Sequence, residues 1–542
     1  MSKPNPWVLT LFLFAIVVVL GGVSVLKGGI YISKHEGDTL HLLDIVLRMA
    51  QGELPHLDFV TPIGILAFAP ISAFVWAGFG FGMAFLLAQI TVALIVLPAV
   101  AWVGSSRLST PLAYLFGGFV MVLPLALVHG EAEQSISLSM HYNRFAWMLS
   151  FIAIALAVLP AKWRTNQVVD GVIIGLCMGA LALLKITYFV SFAPVVLIAM
   201  ILRAQYRAIL FALGAGLVVA AAMTLYGGFG YWGAYMDDLL EVATSGARAA
   251  PSGDLRVVVG APAYMAGTMM LFLSVILMRQ SRQRIGGLVL LLLVPGFIYV
   301  TYQNFGNDPQ WLWLLAILIF AFRPAADVVN GFGWNMRRAL NYTGVAVLMA
   351  GAPSFLNLVY SPFRHMAEDT SKFTPLLSRW ERHSDLQLFQ PRAVTVNITT
   401  RDDGPGQVFE AYSDRAKRDP LAKIKGEELP FCALELGTVA WMESIARKLE
   451  ETGYAQGNTF FMTDLLPSLW MYSDKINPTA NGAPWYYGGL PGLEQADYVV
   501  VPVCPMADKV RHDILEDLEK RGTDDLIEVD RNRLYILYKI AK

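Results

Sequence analysis

The chain has 542 residues, 56% of them hydrophobic and only 15% charged, with a mean hydropathy of +0.51. That excludes an ordinary soluble enzyme, cytosolic or secreted, and places most of the chain in lipid. Lys+Arg (41) and Asp+Glu (42) leave a net charge of -1, so there is no electrostatic footprint for nucleic acid. Three cysteines without a CxxC or a His/Cys cluster suggest neither a disulfide-built fold nor a zinc site.

Apolar runs follow one another at 7–26, 63–78, 83–103, 110–129, 145–160, 170–184, 187–202, 206–226, 258–278, 285–301, 311–323 and 339–359. They predict about twelve membrane segments. The run 7–26 is read as the first membrane helix rather than a signal peptide, because it is long and no small-residue cleavage site follows it. Arg107, Lys162, Arg164, Arg203, Arg207, Arg279, Arg282, Arg284, Arg337 and Arg338 mark the expected cytoplasmic loops. The loops 28–62, 130–144, 229–257 and 302–310 then face the other side. One parity problem results: two crossings within 63–103 would return the chain to the outside before Arg107. Either one segment only dips into the membrane or Arg107 departs from the charge bias.

From about Ser361 charged residues become frequent and no further run has membrane length, so 361–542 is expected to be a soluble domain following a membrane domain, 1–360. Strands are predicted at 459–462, 498–502 and 534–538, with amphipathic helices at 438–451 and 507–521, a small α/β pattern. Parity puts this domain outside the cytoplasm. There Cys432 and Cys504 could form a disulfide, although two buried free thiols is the reading favoured by sequence, which cannot show that they meet. No internal repeat is evident, which argues against a secondary transporter.

The richest stretch for chemistry is the loop 28–62, where Glu36, Asp38, Asp44, Glu53 and Asp58 accompany three histidines and Arg48. Leu40, Leu43, Leu47, Met49 and Ala50 share one face, so 39–51 is predicted to be a short helix along the membrane surface, with Asp38 at its N-terminus. Asp38 is then either a simple N-cap or a base held as the anion by free backbone N–H groups. Glu36-Gly37-Asp38 is also spaced as some divalent-metal sites are, a weak signal; no metal and no other cofactor is expected.

The loop resembles the first periplasmic loop of bacterial GT-C glycosyltransferases of the family 39 type, relatives of protein O-mannosyltransferases and of the lipid A aminoarabinose transferase. The resemblance rests on Gly52-Glu53-Leu54-Pro55-His56-Leu57-Asp58-Phe59 and Pro62-Ile63-Gly64, with Asp38 fourteen residues before Gly52. Two positions depart from the family pattern. Thr39 stands where a second acid is usual, leaving Glu36 to supply it, and His56 stands where Tyr is usual. The resemblance implies transfer of a sugar from a polyprenyl-phosphate donor to a glycan, lipid or protein acceptor at the outer face of the bacterial inner membrane. Asp38 would be the general base, assisted by Glu36, and His41, Arg48, His56 and Asp58 would contact substrate.

A cation should stabilise the departing lipid phosphate. Lys185 interrupts an apolar run, and is either a charge facing a cavity within the membrane or an anchor in an outside turn. Arg144, beside Tyr142, either meets substrate or reaches to lipid headgroups. Asn304 and Asp308, in the polar and aromatic loop from Tyr302 to Trp311, suit sugar binding but also describe a tight turn. The aromatic segment at 485–489 is assigned either acceptor binding or structural support. The expected fold is thus a polytopic α-helical membrane protein of GT-C type, about 11–13 helices, with a C-terminal soluble α/β domain. The rival is a non-catalytic carrier or assembly protein for polyprenyl lipids or polysaccharides.

Overall fold

A computed structural model describes residues 2–247, 254–303, 309–404, 406–415 and 420–541. It is mainly helical. Among the described residues, seven helices are long and apolar enough to cross a membrane: Pro6–Leu26, Phe81–Arg107, Gln167–Leu184, Tyr206–Gly227, Ala263–Gln280, Arg284–Gln303 and Met336–Met366. Three shorter apolar helices join them, Thr110–Leu125, Ile186–Leu202 and Trp311–Ala321. At the centre stands His141–Val158, buried on nearly every side, as expected of a helix that is apolar all round.

Local chemistry sets the helix ends and contacts. Asn5 accepts from the N–H of Trp7 with Pro6 at the first helical position, an N-cap followed by a residue that needs no donor. Gly171 and Gly175 let Gln167–Leu184 press against Tyr206–Gly227, since an added Cβ would sit 2.3 Å from the Ala208 carbonyl oxygen and 2.1 Å from that of Ala212. Small residues at this spacing bring membrane helices to backbone contact.

The bundle has two chemically distinct ends. At one, Arg107 pairs with Asp170 at 2.6 Å, Trp163 donates to the Leu108 carbonyl and Arg323 donates to Asn341. At the other gather the loop 28–62, the turn at Lys185 and the C-terminal region. The segment 63–78, expected to be a membrane helix, is a three-residue turn and the eight-residue helix Ala69–Trp76. Eight residues rise only about 12 Å, far short of a bilayer core. Phe81–Arg107, by contrast, is long and apolar enough to cross by itself.

Beyond Met366 the C-terminal region carries small sheets. Strands Leu526–Arg531, Tyr535–Ile540, Tyr498–Pro502 and Phe460–Met462 lie side by side in that order, with helices Thr438–Glu451 and Asp508–Arg521. The predicted strands and helices fall within a few residues of these. Cys432 and Cys504 are joined in a disulfide. This corrects the expectation of two free thiols: strand Cys432–Leu436 runs beside the segment after Tyr498–Pro502, where the N–H of Leu434 donates to the Pro505 carbonyl.

The region is knitted to the bundle rather than tethered to it. Strand Ile30–Ile32 pairs in parallel with Leu386–Phe389, the N–H of Ile30 donates to the Asp385 carbonyl, and the Asp385 carboxylate accepts from the N–H of Met83 in the first turn of Phe81–Arg107. One continuous apolar core runs from Leu9 to Leu537.

Candidate functional site

The helix predicted at 39–51 is Glu36–Ala50, preceded by His35 in a left-handed conformation (φ 66). It does not lie on a surface. Leu40, Leu42, Leu43, Ile45, Val46 and Leu47 are all buried, because the C-terminal region closes over the side that sequence periodicity leaves polar. Asp44 is fully buried there, accepting from Arg48 (2.7 Å), Ser468 (3.0 Å) and Trp470 (3.2 Å). Arg48 also reaches Glu53 and the Thr479 carbonyl.

Asp38 lies in the first turn of this helix rather than before it, and borders a cavity of about 530 Å³ between bundle and C-terminal region. Burial pushes its carboxyl above the usual carboxylate range, opposed by nearby His35. This differs from the expected N-cap, which would hold the anion easily. A carboxylate held above its ordinary pKa is the stronger base.

The same cavity collects His41, Tyr142 and Lys185. Lys185 is the single extended residue between Gln167–Leu184 and Ile186–Leu202, so it stands in a turn yet faces inward and is only 9% exposed. Its ammonium donates to Asn143 at 2.8 Å and sits 4.8 Å from the centre of the Tyr142 ring. The Pro62-Ile63-Gly64 segment sets this turn: the N–H of Gly64 donates to the Leu184 carbonyl, and an added Cβ at Gly64 would lie 2.1 Å from the Leu183 carbonyl oxygen. From the C-terminal region come Trp485, whose ring is 5.4 Å from that of His41, and Tyr487, at 6.5 Å. The Ser245 hydroxyl donates to the Tyr487 carbonyl, tying the end of helix Gly230–Thr244 to the aromatic segment.

Other predicted residues lie elsewhere. Glu36 is held by Arg392 through contacts of 2.7, 3.0 and 3.1 Å, and residues two apart on a helix do not face each other. Glu36 and Asp38 therefore do not fit a shared metal site. Arg48 is committed to Asp44 and Glu53, away from the cavity. His56, left-handed at φ 74, is buried between Tyr231 and Tyr235 with Nδ1 2.7 Å from Asp238. Histidine adopts that backbone more readily than bulkier side chains. Asp58 accepts from the N–H of Leu54 and closes the same turn. Arg144 is buried and donates to the Val128 carbonyl. Asn304 and Asp308 lie outside the described residues.

Sequence reasoning missed Tyr299, Thr187 and Ser139, which also border the cavity. Tyr299 sits in an apolar run one turn before Tyr302, where it reads as an ordinary interfacial aromatic. It also missed Arg392, which nothing distinguishes from a surface arginine until Glu36 is found beneath it. Compared with protein-family models, with curated proteins and with solved structures, the chain matches none.

Proposed function

We propose that the protein is a membrane glycosyltransferase that moves a sugar from a polyprenyl-phosphate donor to an acceptor hydroxyl. The observation that carries this reading is the single cavity that brings together Asp38, Lys185 and an aromatic wall of Tyr142, Trp485 and Tyr487 beside the apolar side chains Ile186, Val190, Leu239 and Val242. A carboxylate, a cation, rings that can stack on a sugar face and a greasy flank are the four things a lipid-linked sugar requires. Val190 is 59% exposed on the outside of its helix, which marks a lateral route for a lipid tail.

In this reading the acceptor oxygen attacks the anomeric carbon while Asp38 takes its proton. The bond from that carbon to the lipid-phosphate oxygen breaks, and the phosphate leaves as an anion that Lys185 stabilises. The anomeric configuration inverts. Base catalysis of this kind contributes roughly 10²–10⁴ in rate, and a preorganised cation adds to it at the leaving group. Glu36, Arg48, His56 and Asp58 build the loop rather than touch substrate.

The basic end of the bundle would face the cytoplasm by the charge bias of membrane proteins. The cavity and the C-terminal region would then face outward at a bacterial plasma membrane. Under that assignment Phe81–Arg107 is one crossing, and the seven long helices, the three shorter apolar ones and the central His141–Val158 make an odd number of passes from Pro6 to Met366.

The test is transfer from a panel of polyprenyl-phosphate sugars by the protein reconstituted in liposomes, with Asp38→Asn as the control. Transfer that requires Asp38 supports the reading. Equal transfer by the variant removes Asp38 from it, and no donor accepted from the panel removes the activity.

A further inference from the structure

At the opposite end of the bundle a second cavity, about 410 Å³, is lined by Arg203, Arg282 and Arg284 together with Gln283, Phe322 and Pro160. Arg203 follows helix Ile186–Leu202 and stacks its guanidinium 5.7 Å from the centre of the Phe322 ring. Its Nε is buried without a hydrogen-bond partner. Arg282 and Arg284 are exposed at the rim, and Arg284 opens the helix Arg284–Gln303, whose first N–H groups point back along the axis.

No acid lines this cavity among the described residues. The contrast with Arg107 is informative: Arg107 is neutralised by Asp170 at 2.6 Å, whereas among the described residues nothing of opposite charge pairs with Arg203. Burial, and then the like charge of Arg107, push the Arg203 guanidinium down to about 10. Three cations without an anion, a helix start and forked donors together define a receptor for a phosphate group.

We propose that this cavity binds the phosphate of an anionic lipid headgroup. The apolar neighbours favour a lipid over a dissolved phosphate compound, because Ile201, Leu202, Ile285 and Leu288 are 47%, 38%, 39% and 37% exposed beside it. They offer a wall along which acyl chains can lie. The site is far from the sugar-transfer cavity and does not depend on that reading. Basic recesses between helix ends recognise headgroups in this way, each arginine contributing to the hold.

The experiment uses the full chain, stripped of lipid in detergent and followed by thermal unfolding. It is titrated with phosphatidylglycerol, with phosphatidylcholine or with inorganic phosphate. The expected result is saturable protection by phosphatidylglycerol and little by phosphatidylcholine, the midpoint weakening about fivefold for each of Arg203→Gln, Arg282→Gln and Arg284→Gln. Arg282 and Arg284 are exposed, so their variants keep the test valid if Arg203→Gln does not fold. Arg164→Gln with Arg207→Gln, exposed at the same end but outside the cavity, should leave the midpoint unchanged. Protection by inorganic phosphate with the same arginine dependence supports the phosphate site and assigns it to a soluble ligand. Equal protection by both lipids with none by phosphate, or equal loss in the Arg164/Arg207 control, overturns the proposal.

Discussion

On the proposed reading, Glu36 decides whether the first turn of the Glu36–Ala50 helix carries one reacting group or two. Its side chain is 7% exposed, that of Arg392 is 30%, and the guanidinium grips both carboxylate oxygens. Two unit charges about 4 Å apart in surroundings of intermediate polarity attract by about 4 kcal/mol. Desolvation of Glu36 offsets part of that, leaving a net coupling of about 2 kcal/mol, in the range of hydrogen bonds to charged groups. Glu36→Gln and Arg392→Met should each cost about 2–3 kcal/mol, below the penalty of a fully buried broken pair because Arg392 reaches water. The double variant should cost little more than either one. Because Asp38 is two residues on, both single variants should lower kcat/KM alike, by about tenfold, a modest misplacement of a catalytic group. Thermal unfolding and sugar-transfer kinetics on the four proteins of the cycle supply both readouts. Loss of transfer in Glu36→Gln beyond about 10²-fold, with Arg392→Met fully active, would show that Glu36 works on the reacting atoms and would refute the positioning role.

Five further outcomes are expected. Burial raises the Asp38 pKa, so activity that needs its anion is present above the raised pKa and lost as pH falls through it; the acid limb of kcat/KM should lie above the usual carboxylate range and vanish in Asp38→Asn. The same sign means the half-buried anion destabilises the fold at neutral pH, so Asp38→Asn should melt no lower than the parent, whereas loss of a true N-cap would cost about 1 kcal/mol. Lys185→Met keeps the volume but removes the bond to Asn143; kcat should fall roughly 10²-fold or more, with Lys185→Arg partly active, and unchanged kcat would remove Lys185 from the leaving-group role. Gly64→Ala drives a methyl into the Leu183 carbonyl and should cost about 2–3 kcal/mol while disturbing Lys185, seen as a joint loss of stability and transfer. Cys432→Ser opens a link across a sequence separation of 72 and should cost about 4 kcal/mol on the chain-entropy estimate, measured as the difference in unfolding free energy between the variant and the oxidised parent protein.

Local patterns carried far more information than pairings across the chain. The strands and helices of the C-terminal region are legible because alternating and helical apolar periods change over within a few residues. Asp38, His41, Tyr142 and Lys185 stand out because a charged or polar group near a membrane helix is costly and conspicuous, and the fold brings all four to one cavity. The burial of Glu36–Ala50 was not legible. Its polar face reads as solvated until Ser468, Trp470 and Thr479 arrive to satisfy Asp44 and Arg48. His56 and Asp58 pair with Asp238 and with the N–H of Leu54 instead of facing the cavity; in a polar loop, residues that close turns look like residues that bind. The disulfide could not be read either, since whether two thiols meet is a matter of geometry alone.

The strand Ile30–Ile32 and the bond from Arg392 to Glu36 also impose an order of events on biogenesis. The two partners of that bond are 356 residues apart in sequence, so the helix bearing Asp38 leaves the ribosome long before the C-terminal segments that close over it. Contacts of such separation form late and slowly. Until the C-terminal region has been delivered to the same side and folded, the edge of Ile30–Ile32 is unpaired and the Asp38 carboxylate faces water, without the burial that raises its basicity. On the proposed reading, competence for sugar transfer would therefore arrive as the last step of assembly, and a chain stopped before Leu386 would be expected to leave its first loop open and inert.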